Sequence, residues 1–250
     1  MKRTVIFLYI ITMFSTCTGV TKRLERFEVH GIDVSHHQSC INWDTVAAQK
    51  INFAFIKATE GETRKDTLFY YNWEETKRVG LIRGAYHFFR PSGSVVGQAL
   101  NFINNVKYEA GDLPPVLDIE VTDDVSEVVL LNRMKSWLNI VEGHYNIKPI
   151  IYTNQTFYNK HLNGKFDHYP KWIARYSTTE PRLGSNKDWD FWQYGDKGYV
   201  KGINGMVDFN VYSLEMTNLK DLTFAPIVTN RMDTEISPWI TDTTTIYGRP

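Results

Sequence analysis

Pro114-Pro115-Val116-Leu117-Asp118-Ile119-Glu120 is the stretch around which the chain is organised. Two prolines precede an alternation of apolar and acidic residues, the pattern of a buried strand that ends in acid. Side chains two apart on a strand project to the same side. Val116, Asp118 and Glu120 therefore share one face, and Leu117 and Ile119 the other. Asp118 and Glu120 point together from the C-terminal end of a strand whose other face is apolar. Adjacent carboxylates repel and add nothing obvious to folding. A solvated or ion-paired strand end also collects acids, so the rest of the chain has to decide between the two readings.

Outward from this stretch, strands and helices alternate. The pattern predicts strands over 29–35, 52–59, 81–89, 115–120 and 150–153, and helices over 42–50, 66–79, 95–108 and 126–145. Asn42 is the expected N-cap of the first helix, and Gly80 the stop of the second. The long helix carries Val128, Leu131, Met134, Leu138 and Val141 at helical spacing. After residue 153 the rhythm changes to short strands over 171–176, 190–194 and 207–212, joined by loops or brief helices. Five βα units followed by three strands predict an α/β protein, a single irregular TIM-like barrel without eight full helices. An open doubly wound sheet alternates in the same way, but no glycine-rich phosphate loop opens any of these helices.

The 250 residues leave room for one such barrel or two small domains. The expected division is an export segment over 1–19, the barrel over 20–222 and a C-terminal tail over 223–250. That tail has no periodicity and is too short for a separate wall-binding module. Formal net charge is zero and the pI is about 7.1, which excludes a broad basic surface for nucleic acid. Aromatic residues make up 14%, enough to fill a core and also to line a sugar groove.

At the N-terminus, Lys2 and Arg3 precede a short apolar run over 5–14, the form of an export signal too short to span a bilayer. Phe14-Ser15-Thr16-Cys17 resembles a loose bacterial lipobox with Cys17 as the lipidated residue; the alternative is ordinary signal cleavage nearby, for instance after Gly19. Both predict an exported protein, either lipid-anchored in the envelope or secreted. The chain has two cysteines, so a disulfide framework is excluded and Cys40 reads as a passive loop thiol.

In barrels, chemistry sits at the C-terminal ends of the strands. The expected strands put Asp33 at the end of the first, Lys57 at the second, and Tyr86 and Phe88 near the end of the third. Asp118 and Glu120 end the fourth, Tyr152 the fifth and Arg175 the sixth; Trp192 lies in the seventh and Asp208 in the eighth. In a closed barrel the first and eighth strands are neighbours, which brings Asp33 beside Asp208 and opposite the Asp118–Glu120 pair. Crowded carboxylates raise one another's proton affinity, and glycosidic cleavage needs an acid that keeps its proton at neutral pH. Ca²⁺ or Mg²⁺ is the competing use of clustered acids. No EF-hand-like loop occurs, adjacent His36 and His37 are poorly spaced to share one ion, and no metal site is expected. No Gly-x-Ser-x-Gly elbow marks a serine hydrolase.

Eight stretches in order then carry a resemblance. They are Gly31-Ile32-Asp33-Val34-Ser35 with Gln38 and Trp43, Phe55-Ile56-Lys57-Ala58-Thr59-Glu60-Gly61, Gly84-Ala85-Tyr86-His87-Phe88 and Leu117-Asp118-Ile119-Glu120. Ile151-Tyr152-Thr153, Trp172-Ile173-Ala174-Arg175-Tyr176, Trp192-Gln193-Tyr194 and Val207-Asp208-Phe209-Asn210 complete the set. Over roughly residues 29–222 the chain resembles the glycoside hydrolase family 25 lysozymes, the Chalaropsis-type N-acetylmuramidases. The resemblance implies a barrel of five βα units and three further strands, no cofactor, and cleavage of the β-1,4 bond between N-acetylmuramic acid and N-acetylglucosamine in peptidoglycan. It makes Glu120 the general acid/base and Asp118 the residue that orients the 2-acetamido group. Asp33 and Asp208 complete the acidic rim, with Lys57, Tyr86, Phe88, Tyr152, Arg175 and Trp192 as substrate-binding candidates. The expected partner is the glycan strand, and the expected state is a monomer with possible membrane attachment through Cys17. Ser39-Cys40 departs from the small Gly-containing turn usual at the first loop. Two rivals remain: a non-catalytic wall-glycan-binding protein, which would lose an acid, and a hexosaminidase acting on chitin-like glycans, which would carry a further Asp where Val116 stands.

Overall fold

The computed structural model describes residues 21–184 and 188–225. The export segment with Cys17, and residues 226–250 of the tail, lie outside the described residues. Nine strands form one sheet: β1 (His30–Val34), β2 (Phe53–Glu60), β3 (Arg64–Lys65), β4 (Ile82–Phe88), β5 (Val116–Asp118), β6 (Ile150–Asn154), β7 (Lys171–Ala174), β8 (Phe191–Gly198) and β9 (Val207–Tyr212). Their order is β1-β9-β8-β7-β6-β5-β4-β2-β3, and β1 also pairs with β2, which closes eight strands into a barrel. The two-residue β3 folds back on the end of β2 outside the ring. Five helical connections follow β1, β2, β4, β5 and β6: α1 (Trp43–Ala47), α2 (Phe69–Arg78), α3 (Val95–Asn105), α4 (Glu127–Tyr145) and α5 (Gln155–Phe157). Among the described residues no long helix follows β7 or β8, and α6 (Met216–Asp221) comes after β9. The barrel of five βα units and three strands is therefore present.

One feature of that closure lies outside the sequence pattern. β9 runs antiparallel to both β8 and β1, while the other pairs around the ring are parallel. A descending strand carries its rim residues near its start, so Asp208, second in β9, stands directly across from Asp33, fourth in β1.

Two apolar layers hold the barrel. The inner one fills the lumen with Phe53, Phe55, Val116, Ile150, Trp172, Phe191 and Tyr212. The Phe55 ring stacks on Trp172 with centroids 4.2 Å apart. Gly31 and Gly84 make room for these rings: a Cβ on Gly31 would lie 2.3 Å from the Phe53 ring, and one on Gly84 2.6 Å from Phe55. The outer layer packs the other strand face against the helices, through residues such as Ile32, Ile56, Leu117, Ile119, Phe102 and Trp137. Strand parity thus divides the chain, with Val116, Asp118 and Glu120 turned inward and Leu117 and Ile119 outward.

Local chemistry sets the helix ends. Asn42 accepts a bond from the Thr45 amide at 3.0 Å and caps α1 as expected. Ser126 caps α4, which ends on Asn146 in a left-handed conformation. Two expectations shift. The helix placed from residue 66 begins at Phe69, because the buried Asp66 carboxylate accepts the backbone amides of Leu68 and His36 and makes a turn. The buried stripe of α4 is Leu130, Met134, Trp137, Leu138 and Val141; Val128 is exposed, as it lies in the first turn before the helix meets the barrel. Past α6, Phe224 exchanges backbone bonds with Gly111 and Asp112, so the described start of the tail is tied to the barrel.

Candidate active site

The inward parity of the eight barrel strands brings their polar and aromatic residues to one rim. Phe88, Asp118 and Tyr152 stand in register across β4, β5 and β6. Lys57 pairs in register with Tyr86, and Glu120 follows two residues after the end of β5. Together with Asp33, Trp172, Tyr176, Gln193 and Asp208 they enclose a cavity of about 240 Å³.

On the β1–β9 side, Asp33 is buried and its Oδ2 accepts from Asn210 Nδ2 at 2.7 Å and Gln193 Nε2 at 2.9 Å. The same Gln193 nitrogen reaches Asp208 Oδ2 at 3.2 Å. Both amides are themselves oriented: Tyr152 Oη donates to Gln193 Oε1 at 2.7 Å, and Trp172 Nε1 donates to Asn210 Oδ1 at 2.8 Å. Burial raises the Asp33 carboxyl above its ordinary range, while the two amides and Asp208 oppose that shift. Asp208 is pushed up to about 9, first by burial, then by the Asp33 charge and their hydrogen bond. Asp208 is therefore the member of the Asp33–Asp208 pair that holds a proton at neutral pH.

On the β5 side, burial pushes Asp118 well above the usual carboxylate range, and the neighbouring Glu120 charge adds to it. Glu120 is raised too, by its own burial and by the Asp33 charge. The two share a hydrogen bond that favours the neutral form of Asp118 and the charged form of Glu120. Lys57 pulls both downward; its Nζ is held by Glu60 Oε2 at 2.9 Å and lies 5.3 Å from the Phe88 ring centroid. Asp118 Oδ1 is buried without a hydrogen-bond partner. The arrangement is a hydrogen-bonded pair of carboxyls in which Asp118 is the member favoured to hold a proton, with a free acceptor on the deeper member and the shallower one facing the cleft.

Eight of the ten expected cleft residues meet here: Asp33, Lys57, Tyr86, Phe88, Asp118, Glu120, Tyr152 and Asp208. Trp192 and Arg175 do not, which corrects their assignment to the groove. Trp192 is fully buried in the outer layer, edge-on to Phe27 and Trp189, and its Nε1 donates to the Arg175 carbonyl at 2.8 Å. The Arg175 guanidinium turns to the Glu180 carbonyl. Both have outward parity. Their inward neighbours Gln193, Trp172 and Tyr176 line the cleft instead, with Asn210 behind Asp33. Strand parity alone offers Gln193 between Trp192 and Tyr194, and Asn210 two residues after Asp208, but nothing in the sequence marks either amide as a partner of the acids. Cys40 is exposed and free. The His36 and His37 rings lie 4.1 Å apart between centroids, tilted by 36°, and His36 Nδ1 is bound to Asp66 at 2.6 Å. Among the described residues no group of three or more His, Cys, Asp or Glu is placed to hold a metal ion.

Comparison with known proteins gives one answer from sequence and from structure. The model for "Glycosyl hydrolases family 25" matches residues 32–203. The uncharacterised protein YegX of Escherichia coli K12 is 45% identical over 192 residues, 75% of this chain and 70% of YegX. Lysozyme M1 of Streptomyces globisporus is 38% identical over 199 residues, 74% of this chain and 68% of that enzyme. Among solved structures, a family 25 glycosyl hydrolase from Bacillus anthracis superposes with a TM-score of 0.75 at 30% identity, covering 82% of this chain and 97% of that one. A bacterial lysozyme from Streptomyces coelicolor gives 0.73 at 34% identity over 78% of this chain and 96% of its own. The matched span runs from β1 into the loop before β9 and takes in Asp33, Asp118 and Glu120, and on this evidence the chain belongs to glycosyl hydrolase family 25.

Proposed function

We propose that this protein is a peptidoglycan hydrolase of the lysozyme type, an N-acetylmuramidase that cleaves the β-1,4 bond between N-acetylmuramic acid and N-acetylglucosamine. The observation that carries the reading is the hydrogen-bonded Asp118–Glu120 pair at the base of an aromatic-walled cleft, held opposite the Asp33–Asp208 pair. The Streptomyces relative is named a lysozyme, and Autolytic lysozyme of Clostridium acetobutylicum is 28% identical over 183 residues.

The proton moves in a defined order under this reading. Without substrate it rests on Asp118, the more buried of the two. The free Asp118 Oδ1 accepts the N–H of a bound 2-acetamido group. That bond favours ionised Asp118 and passes the shared proton to Glu120, which faces the glycosidic oxygen. Glu120 protonates the leaving group, and the acetamido oxygen attacks its own anomeric carbon while Asp118 holds the amide. Water activated by Glu120 then opens the oxazolinium with retention. Tyr86, Phe88, Tyr152, Trp172 and Tyr176 give the sugar apolar faces, and Lys57 keeps the acid pair from holding two protons. The same reading places the enzyme outside the cytoplasm, exported by residues 1–19 with Cys17 as the lipidation candidate.

Glu120→Gln tests the assignment: turnover of purified cell walls should fall about 10²–10⁴-fold while binding persists. Equal clearing by both forms would remove Glu120 from the chemistry. NMR of the first product separates the routes, since retention gives the β-anomer and an initial α-anomer would sink acetamido participation.

A further inference from the structure

A second cavity of about 590 Å³ adjoins the acidic cleft, and Tyr176, 57% exposed, forms part of both walls. One side of this annex is the start of β8's extension past the barrel, Gly195, Asp196 and Lys197; the other is an N-terminal arm over residues 21–24. The arm is seated by backbone bonding. The Thr21 amide donates to the Lys197 carbonyl at 2.9 Å, and the Lys197 amide to Thr21 Oγ1 at 3.3 Å. Leu24 is buried in the outer layer. Gly195 permits the seat, because a Cβ there would lie 2.4 Å from Thr21 Cγ2.

The annex lining carries Lys22, Arg23 and Lys197 against Asp196, a net positive charge opposite to that of the cleft. Lys22 and Lys197 are exposed on its lining, and neither takes part in an ion pair among the described residues. The cleft itself presents four carboxyls against one lysine. In an intact strand the lactyl carboxyl of each muramic acid is tied up in an amide and the glycan backbone is neutral, so nothing about that backbone calls for two uncommitted lysines one aromatic ring away from the cutting site. The peptide on the lactyl group of each muramic acid does carry free carboxylates, and the acidic rim repels them.

We propose that the annex is a binding site for the carboxylate-bearing stem peptide of the glycan strand, with Lys22 and Lys197 as its anion contacts and Tyr176 as the divider between sugar and peptide. The proposal rests on the peptidoglycan reading of the adjoining cleft. It makes the enzyme prefer strands that still carry their peptides, most strongly at low ionic strength.

The test uses the full chain and a Lys22→Gln/Lys197→Gln variant, assayed on peptidoglycan and on the same strands stripped of peptide by an amidase, with the freed lactyl carboxylates converted to methyl amides so that the stripped strand is neutral. The ratio of kcat/KM on peptide-bearing to stripped strands should fall about fivefold in the variant at low salt, through KM. An unchanged ratio would overturn the site. Cleavage of neither glycan by the native chain would instead defeat the muramidase reading. In that event titration with L-alanyl-γ-D-glutamyl-meso-diaminopimelate still decides the annex. Saturable NMR shifts at Lys22, Thr178 and Lys197, abolished when the peptide carboxylates are amidated, support it. Absence of shifts, or shifts indifferent to amidation, rejects it.

Discussion

Gln193 shows how much of the site depends on residues without chemistry of their own. Its oxygen is taken by the Tyr152 hydroxyl, which forces its nitrogen toward Asp33 and Asp208. Gln193→Leu keeps the bulk and removes the amide. Asp33 then loses one of two amide donors and its carboxyl rises further. The expected result is a fall in kcat/KM of about 10–100-fold, by analogy with the loss of partners that orient metal ligands, together with an acid limb of the pH–rate profile moved to higher pH. A loss with no displaced limb would mean that Gln193 only fills space. Asp33, Asp118 and Glu120 were legible in the sequence because acids at strand ends are conspicuous. Gln193 and Asn210 were not, because a buried amide acquires its role from what it touches.

At the level of elements, parity decides which face of each strand reaches the cleft. On β5 the acids advertise it, and Asp118 and Glu120 both face the cleft. On β7 and β8 aromatic and polar residues occur at both parities, so the sequence pattern does not separate Arg175 and Trp192, which face outward, from Trp172 and Gln193, which face the cleft. The lumen packing that sorts these faces can be tested at Gly84. Gly84→Ala drives a methyl to within 2.6 Å of the Phe55 ring, which is itself stacked on Trp172 of the cleft wall. Overpacking of this kind costs about 1–3 kcal/mol. Denaturant unfolding should show that loss, and Trp172 should transmit it as a raised KM. Native stability in the variant would mean the lumen has slack that the packing does not show.

For the whole molecule, two buried groups give stability opposite pH dependences. Asp208 is raised to about 9, so the folded state holds a proton that the unfolded chain releases near its ordinary value of 3.8. Its contribution is full below that value and is lost as pH rises through the folded pKa. His87 is buried against Trp137 and lowered to about 4, chiefly by burial, from an ordinary 6.5. Its contribution is present above 6.5 and lost as pH falls toward 4. Only Asp208 titrates of these two between pH 7 and 9. Melting temperature should therefore drop over that interval, and Asp208→Asn, whose amide still offers Asp33 a donor, should flatten the drop. An equal slope in both proteins would show that Asp208 is ionised in the fold.

The sequence by itself determined the barrel, because hydrophobic periodicity and strand–helix alternation are local properties that each segment carries unaided. It also determined the acid pair, because two residues on one strand share a face wherever the strand goes. Only the tertiary structure decided the rest of the site. The antiparallel entry of β9 set Asp208 across from Asp33, lumen packing chose Trp172 and Gln193 over Trp192 and Arg175, and the arm over 21–24 closed the basic annex against β8. Each of these joins residues far apart in the chain, where the outcome depends on which surfaces fit and which buried polar groups find partners.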